Sequence, residues 1–277
     1  MKEPNPVLVA QITDLHIKAP GERAYGRVDT ASALERLVLC LNGLRPRPDL
    51  VVISGDLVDG GSAAEYAHLK ERLAELHLPF ALTAGNHDER RAARAAFADQ
   101  PFVPGEALNQ HRRVGPLDII LLDSSVPGQS HGHLDAATLA WLEGVLDAPD
   151  AGPALLFMHH PPFRPGIWHM DRQGLRNADD LAAIVLRHPH VQLVAAGHVH
   201  RAITTRFAGT AASICPAPSH AVALDLDASL VPSFCFEPPA FHLHAWNPGE
   251  ALLTTHLVPV GTFDGPHPFF SSEGRLL

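Results

Sequence analysis

Five short apolar runs in this chain each stop abruptly at residues that bind metals or move protons. Val7–Ile12 runs into Thr13-Asp14-Leu15-His16, and 49–54 runs into Gly55-Asp56. Residues 80–84 run into Gly85-Asn86-His87-Asp88, Ala154–Met158 into His159-His160, and Val191–Ala196 into Gly197-His198-Val199-His200. Runs this apolar and this short suit parallel strands covered on both faces. The segments between them read as helices. Residues 30–44 place Leu34, Leu37, Val38, Leu41 and Leu44 at helical spacing behind Thr30 as N-cap. Residues 63–78 do the same with Tyr66, Leu69, Leu73 and Leu76. A β-α-β-α-β order implies right-handed crossovers and a parallel sheet. In such sheets ligands gather outside the carboxyl ends of the strands. Five chemically loaded strand ends on one edge make a metal site.

The rest of the chain fills in around these runs. Residues 90–98 predict a short helix and 117–123 a further strand; Asp135 caps a helix holding Leu139, Trp141, Leu142 and Leu146. Residues 177–186 predict a helix, with Asn177 as N-cap and Asp180 closing a variant of the capping box. Beyond Arg201 the texture changes to short strands at 222–226, 234–237, 240–245 and 251–260, separated by Pro, Gly and Asn as in an antiparallel meander. The pattern divides the chain into a core over 1–201 and a segment over 202–277 that completes a second sheet and forms a small cap.

Composition narrows the function. The 277 residues carry 30 Asp+Glu against 21 Lys+Arg, which argues against a nucleic-acid polymer as partner, since that needs a basic footprint. The 19 His exceed what any metal site uses, so most are ordinary; His68, His77, His131 and His133 read as solvated. Cys40, Cys215 and Cys235 show no CxxC pattern, which points to a reducing compartment. No signal-peptide core precedes the first strand and no run is long enough to span a membrane, so a cytoplasmic protein is expected.

The strand ends offer Asp14, His16, Asp56, Asn86, His159, His198 and His200. Alternation along an extended chain lets Asp14 and His16 face one side together, and likewise His198 and His200. The same alternation allows only one of His159 and His160 to reach a given ion. Seven ligands exceed what one tetrahedral zinc needs and suit two ions sharing a carboxylate. Imidazole and carboxylate without thiolate point to Mn, Fe, Zn or Co. Two such ions clamp an in-line displacement at phosphorus and supply its nucleophile near neutral pH. Asp59 reads as a turn residue.

The series Asp14-x-His16, Gly55-Asp56, Gly85-Asn86-His87-Asp88, His159-His160 and Gly197-His198-Val199-His200 resembles the calcineurin-like metallophosphoesterases over residues 7–201. Within that family the chain is most similar to bacterial class III cyclic-nucleotide phosphodiesterases and the related glycerophosphodiesterases, on the segments 167–171, 236–241 and 266–270. The resemblance implies a four-layer α-β-β-α sandwich, two mixed sheets flanked by helices, with a small C-terminal β cap that dimerises in relatives. A homodimer or higher homo-oligomer is therefore expected. It implies that Asp14, His16 and His200 bind one metal, that Asn86, His159 and His198 bind the second, and that Asp56 bridges them. His87 would hydrogen-bond the phosphoryl oxygens or protonate the leaving alkoxide, with Asp88 orienting it. Asn86 and His87 would contact substrate. His220 resembles a histidine found near the metals in the glycerophosphodiester branch, or is a plain loop residue; His160 packs beside the site.

The reaction implied is hydrolysis of a small phosphodiester, 3′,5′-cyclic AMP slightly ahead of glycerophosphodiesters. A broad phosphomonoesterase is the alternative, which Arg164, Arg172 and Arg201 leave open. A metal-free scaffold on the same fold would have lost ligand residues, and here every one is present.

Overall fold

The computed structural model describes residues 5–276. The alternating first third forms β1 (Val7–Ile12), α1 (Thr30–Gly43), β2 (Leu50–Ser54), α2 (Ala63–Leu73), β3 (Phe80–Thr83) and α3 (Arg90–Ala96). There follow β4 (Gln110–Val114), β5 (Leu117–Leu122), α4 (Ala136–Leu146), β6 (Ala154–Met158), α5 (Trp168–Asp171), α6 (Ala178–Arg187) and β7 (Val191–Ala196). The last part adds β8 (Ile203–Phe207), β9 (Thr210–Ile214), β10 (Ala221–Val222), β11 (Phe234–Cys235), β12 (Ala240–Asn247) and β13 (Leu252–Pro259). One sheet has the order β13-β12-β1-β2-β3 and the other β4-β5-β6-β7-β9-β8, while β10 and β11 form a separate ribbon. Strands β1–β3 are mutually parallel, as are β5, β6, β7 and β9; the flanking strands are antiparallel.

Both faces of each central strand are covered, which is why the runs are continuously apolar. Val9, Val52 and Ala81 of the first sheet meet Ile119, Leu155, Phe157 and Leu193 of the second in the seam between them. The alternate residues Ala10, Ile12, Val51 and Ile53 pack outward on Leu34 and Leu37 of α1 and on Tyr66 and Leu69 of α2. On the other side Ile120, Leu156 and Val194 lie under Leu142 of α4 and Leu181 of α6. The result is four layers, helix, sheet, sheet and helix, each large buried side chain contributing about 1.5–3 kcal/mol. Because the two parallel sets face each other across the seam, their carboxyl ends meet on one edge.

Several local expectations are corrected. The N-cap of α1 is Asp29, whose carboxylate accepts from Ser32 N at 3.0 Å, so Thr30 is already helical. Helix α2 stops at Leu73, although Leu76 and Leu78 remain buried beyond it. Asn177 holds the N-cap position of α6 as expected, but its side chain caps no backbone N–H; its amide bonds both backbone groups of Leu134 and donates to Asp180 Oδ2 at 3.1 Å. The strands expected at 222–226 and 234–237 shrink to two-residue ribbons, Ala221–Val222 and Phe234–Cys235. Strands β4, β8 and β9 were not foreseen. The segment beyond residue 201 feeds both sheets, since β12 pairs with β1. His68 is buried, with Nδ1 2.7 Å from the Lys18 carbonyl, rather than solvated.

Candidate metal centre

Asp14 and His16 lie just past β1, Asp56 past β2, Asn86 past β3, His159 past β6, and His198 and His200 past β7. Backbone bonds tie these tips together: Asp14 N donates to Gly55 O and His16 N to Asp56 O, both at 3.0 Å, and Gly197 N donates to His159 O at 2.9 Å. Asp14, His16, Asp56, His198 and His200 have φ between +45° and +72°, and they are five of the eight non-glycine residues with positive φ among the described residues. Strain of this kind persists only where the surroundings hold it, and it gathers at functional sites. It also revises how the i, i+2 pairs come to face one way. The pairs Asp14/His16 and His198/His200 converge through left-handed residues, not through strand alternation. Two glycines permit the close approach. A Cβ on Gly85 would lie 2.2 Å from Asp56 Oδ1, and one on Gly197 would lie 2.1 Å from Thr13 Oγ1.

The polar atoms meet in two groups. In the first, His16 Nε2 lies 3.2 Å from His200 Nε2 and 3.5 Å from Asp56 Oδ2, while His200 Nε2 is 3.2 Å from Asp14 Oδ1. In the second, His159 Nε2 lies 3.1 Å from Asn86 Oδ1, 3.2 Å from His198 Nδ1 and 3.3 Å from Asp56 Oδ2. Asp56 Oδ2 thus belongs to both. The tautomers follow from the far side of each ring. His16 Nδ1 donates to Asp59 Oδ1 at 3.2 Å, and His159 Nδ1 to the Ser54 carbonyl at 3.2 Å. In the neutral rings the Nε2 atoms then carry lone pairs, which converge on the Asp56 carboxylate, the Asn86 carbonyl and the neighbouring imidazole nitrogens. Buried oxygens and ring nitrogens gathered in this way need positive charge among them. The donor set could hold two ions, one at Asp14, His16 and His200 and the other at Asn86, His159 and His198, with an Asp56 oxygen within reach of both.

The buried carboxylates draw positive charge to this cluster. Burial pushes the Asp56 carboxyl up, but the charges of His159 and His87 hold it well below the usual range. Burial depresses His159, yet the Asp56 and Asp14 carboxylates carry it to about 9. His198 falls to about 3 through burial and the neighbouring His159. His160 is buried beside His159, with ring centroids 4.8 Å apart and its Nδ1 2.8 Å from Ser124 Oγ.

His87 differs from this cluster in being 33% exposed, where the side chains of His16, His159 and His200 are 6% exposed or less. It stands at the mouth. Its Nδ1 donates to the Asp59 carbonyl at 2.8 Å, which leaves Nε2 facing out. Burial lowers its pKa, but Asp56 and Asp59 outweigh burial and raise it. Asp88 does not orient His87. Its carboxylate accepts from Gly85 N at 2.8 Å, Tyr66 Oη at 2.9 Å and Leu57 N at 3.1 Å, so it pins the Asp56 loop to the Asn86 loop. Burial and the Asp56 charge push this carboxyl up to about 7. His220 is buried with its ring 4.5 Å from His200 and 5.8 Å from His16, and Ser219 Oγ lies 2.9 Å from its Nδ1.

Residues 7–202 match the family described as calcineurin-like phosphoesterases. The chain belongs to this family. A probable glycerophosphodiester phosphodiesterase, GpdQ, from Arcobacter nitrofigilis is 40% identical over 273 residues, covering 98% of this chain and all of the relative. The 3′,5′-cyclic adenosine monophosphate phosphodiesterase CpdA of Escherichia coli is 34% identical over 196 residues, 70% of each chain. Among solved structures, a dimetal phosphatase from Danio rerio shares the fold with a TM-score of 0.65 at 16% identity, covering 93% of this chain and 100% of that one.

In this calcineurin-like phosphoesterase the residue that sequence reasoning passed over is Asp59. It accepts hydrogen bonds from His16 Nδ1 on its carboxylate and from His87 Nδ1 on its carbonyl, and Lys18 Nζ lies 3.2 Å from its other oxygen. Burial pushes its carboxyl up, but His16 and Lys18 hold it at about 2. The one available signal was a second Asp three residues after Asp56.

Proposed function

We propose that this phosphoesterase hydrolyses small phosphodiesters with the help of two metal ions of the Mn, Fe, Zn or Co type. The reading rests above all on Asp56 Oδ2, which lies within 3.5 Å of imidazole nitrogens in both ligand groups. When bound, such ions polarise the phosphoryl oxygens and supply a nucleophile near neutral pH. The chain's own residues do the rest. Asn86 keeps its carbonyl on the His159 side and offers its amide to the phosphoryl group. His87, its pKa raised and its Nδ1 anchored on Asp59, donates a hydrogen bond to a phosphoryl oxygen and a proton to the departing alkoxide.

A diester fits the charge of the mouth better than a dianionic monoester. Lys18 faces Asp59 and Glu65, Arg90 faces Asp123 and Arg201 faces Glu237, so these flanking cations are already engaged. Arg172 lies over the Trp168 ring. 3′,5′-Cyclic AMP is the first candidate. A glycerophosphodiester is the second, favoured by the likeness to GpdQ, which runs on through the segment beyond residue 201.

Initial rates of the Mn-loaded protein on 3′,5′-cyclic AMP, 2′,3′-cyclic AMP, glycerophosphoethanolamine and p-nitrophenyl phosphate, each with an EDTA control, test this. Metal-dependent preference for a diester is expected. Preference for the monoester would make it a phosphatase, and no turnover of any substrate would favour the scaffold reading.

A further inference from the structure

Tyr25 occupies an unusual position. Its φ is +52°, a region that a bulky side chain keeps only when its surroundings impose it. The imposing structure is a tight turn. Ala24 N donates to Val28 O at 3.0 Å and Val28 N to Ala24 O at 2.9 Å, and both flanking side chains are fully buried. The tip is held rigidly while the Tyr25 ring stays 54% exposed. A ring required for packing would be inside, so the strain holds an aromatic face toward solvent.

That face belongs to a wall beside the metal centre. Tyr25 stacks on Phe234 at 5.2 Å between centroids and 30° between planes. Both rings meet His220 edge-on, each at 5.5 Å, and His220 is the side chain lying against His200. Phe236, 63% exposed, continues the surface with its ring 5.9 Å from Phe234. Two segments far apart in sequence have been brought together to place aromatic surface next to the phosphate-binding edge.

We infer that Tyr25 and Phe234 form the subsite for one ester substituent and select diesters that carry a planar aromatic group, a nucleobase above all. The inference rests on the phosphodiesterase reading and deepens it. A flat base gains stacking on such rings, worth roughly tenfold in affinity, whereas a hydroxyl-rich glycerol substituent has no π-face to offer. Tyr25 and Phe234 are specificity residues, whose rings meet the metal-ligand cluster through His220.

The test is the ratio of kcat/KM on 3′,5′-cyclic AMP to kcat/KM on glycerophosphoethanolamine in wild type, Tyr25→Phe, Tyr25→Ala and Tyr25→Ala/Phe234→Ala. Binding of 5′-AMP and of glycerol 3-phosphate to the Mn-loaded proteins is measured by calorimetry alongside. Tyr25→Ala should lower the rate ratio about tenfold through KM, and the 5′-AMP preference should fall in parallel. Tyr25→Phe, which keeps the ring, should restore both. An unchanged ratio in the double variant, or Tyr25→Phe behaving as Tyr25→Ala, would overturn the subsite. If wild type cleaves no diester the proposed reaction fails, and the two binding constants still decide the wall.

Discussion

Two sets of buried histidines lie within this molecule, and they face opposite kinds of neighbour. His242 and His244 sit on β12, where His244 is closed by partners on both sides: Thr255 Oγ1 lies 2.9 Å from Nδ1 and Gln11 Oε1 lies 3.3 Å from Nε2. Gln11 in turn donates to Ser54 Oγ and to the Ala196 carbonyl, so the hydrogen bonds run from donor to acceptor. At the strand tips the far nitrogens of His16 and His159 are satisfied, while the near ones converge on a shared carboxylate, a carboxamide oxygen and other imidazoles. Burial alone does not separate a ligand from a structural histidine. The chemistry opposite the second nitrogen does.

The sharpest test of this contrast is Asp56→Ala, which takes the shared carboxylate from both groups. Turnover of the best diester should fall by about a thousandfold or more with circular dichroism unchanged; surviving turnover would break the distinction. His87→Ala should cost about a hundred- to a thousandfold, chiefly in kcat, with metal content by elemental analysis unaltered. Metal binding itself should read out in stability. Saturating Mn at about 100 times its Kd should raise Tm by roughly 5–10 °C in wild type and in His244→Gln, but much less in Asp14→Ala. A rise in Asp14→Ala equal to that of wild type would place the ions elsewhere.

The smallest expected effect concerns acid. Burial depresses His244 to about 3 and His242 to about 4, so the fold holds both neutral. A base whose folded pKa is lowered contributes stability that is fully present above its ordinary pKa, near 6.5, and lost as pH falls toward those values. Unfolding free energy should therefore drop by about 1.4 kcal/mol per pH unit for each histidine below pH 6.5. Urea midpoints at pH 7.5 and 5.5 on EDTA-treated wild type and His244→Gln would show it. A variant as acid-sensitive as wild type would remove His244 from the account.

The strands that carry the site were legible because burial on both faces leaves a continuous apolar run, and each run ends at residues with little other reason to be there. The strands that were missed had no such run. β4 reads Gln110-His111-Arg112-Arg113-Val114 and β8 reads Ile203-Thr204-Thr205-Arg206-Phe207, edge strands whose middle residues are polar and mostly exposed. The part of Asp59 was hidden for another reason. Its importance lies in where His16 and His87 aim their protons, and that is fixed only when the loops after β1, β2 and β3 meet. Asp88 was misread on the same ground, since adjacency to His87 in sequence says nothing of which donors its carboxylate reaches.

The ligands come from both sheets, and the backbone bond from His198 to the Asp14 carboxylate closes across 184 residues. Nearly the whole chain must therefore be threaded and both sheets closed before either ion can find its donors. Metal uptake at this site would then come late in the life of the polypeptide. Ions at these donors would not nucleate the fold; they would rivet it once it is built.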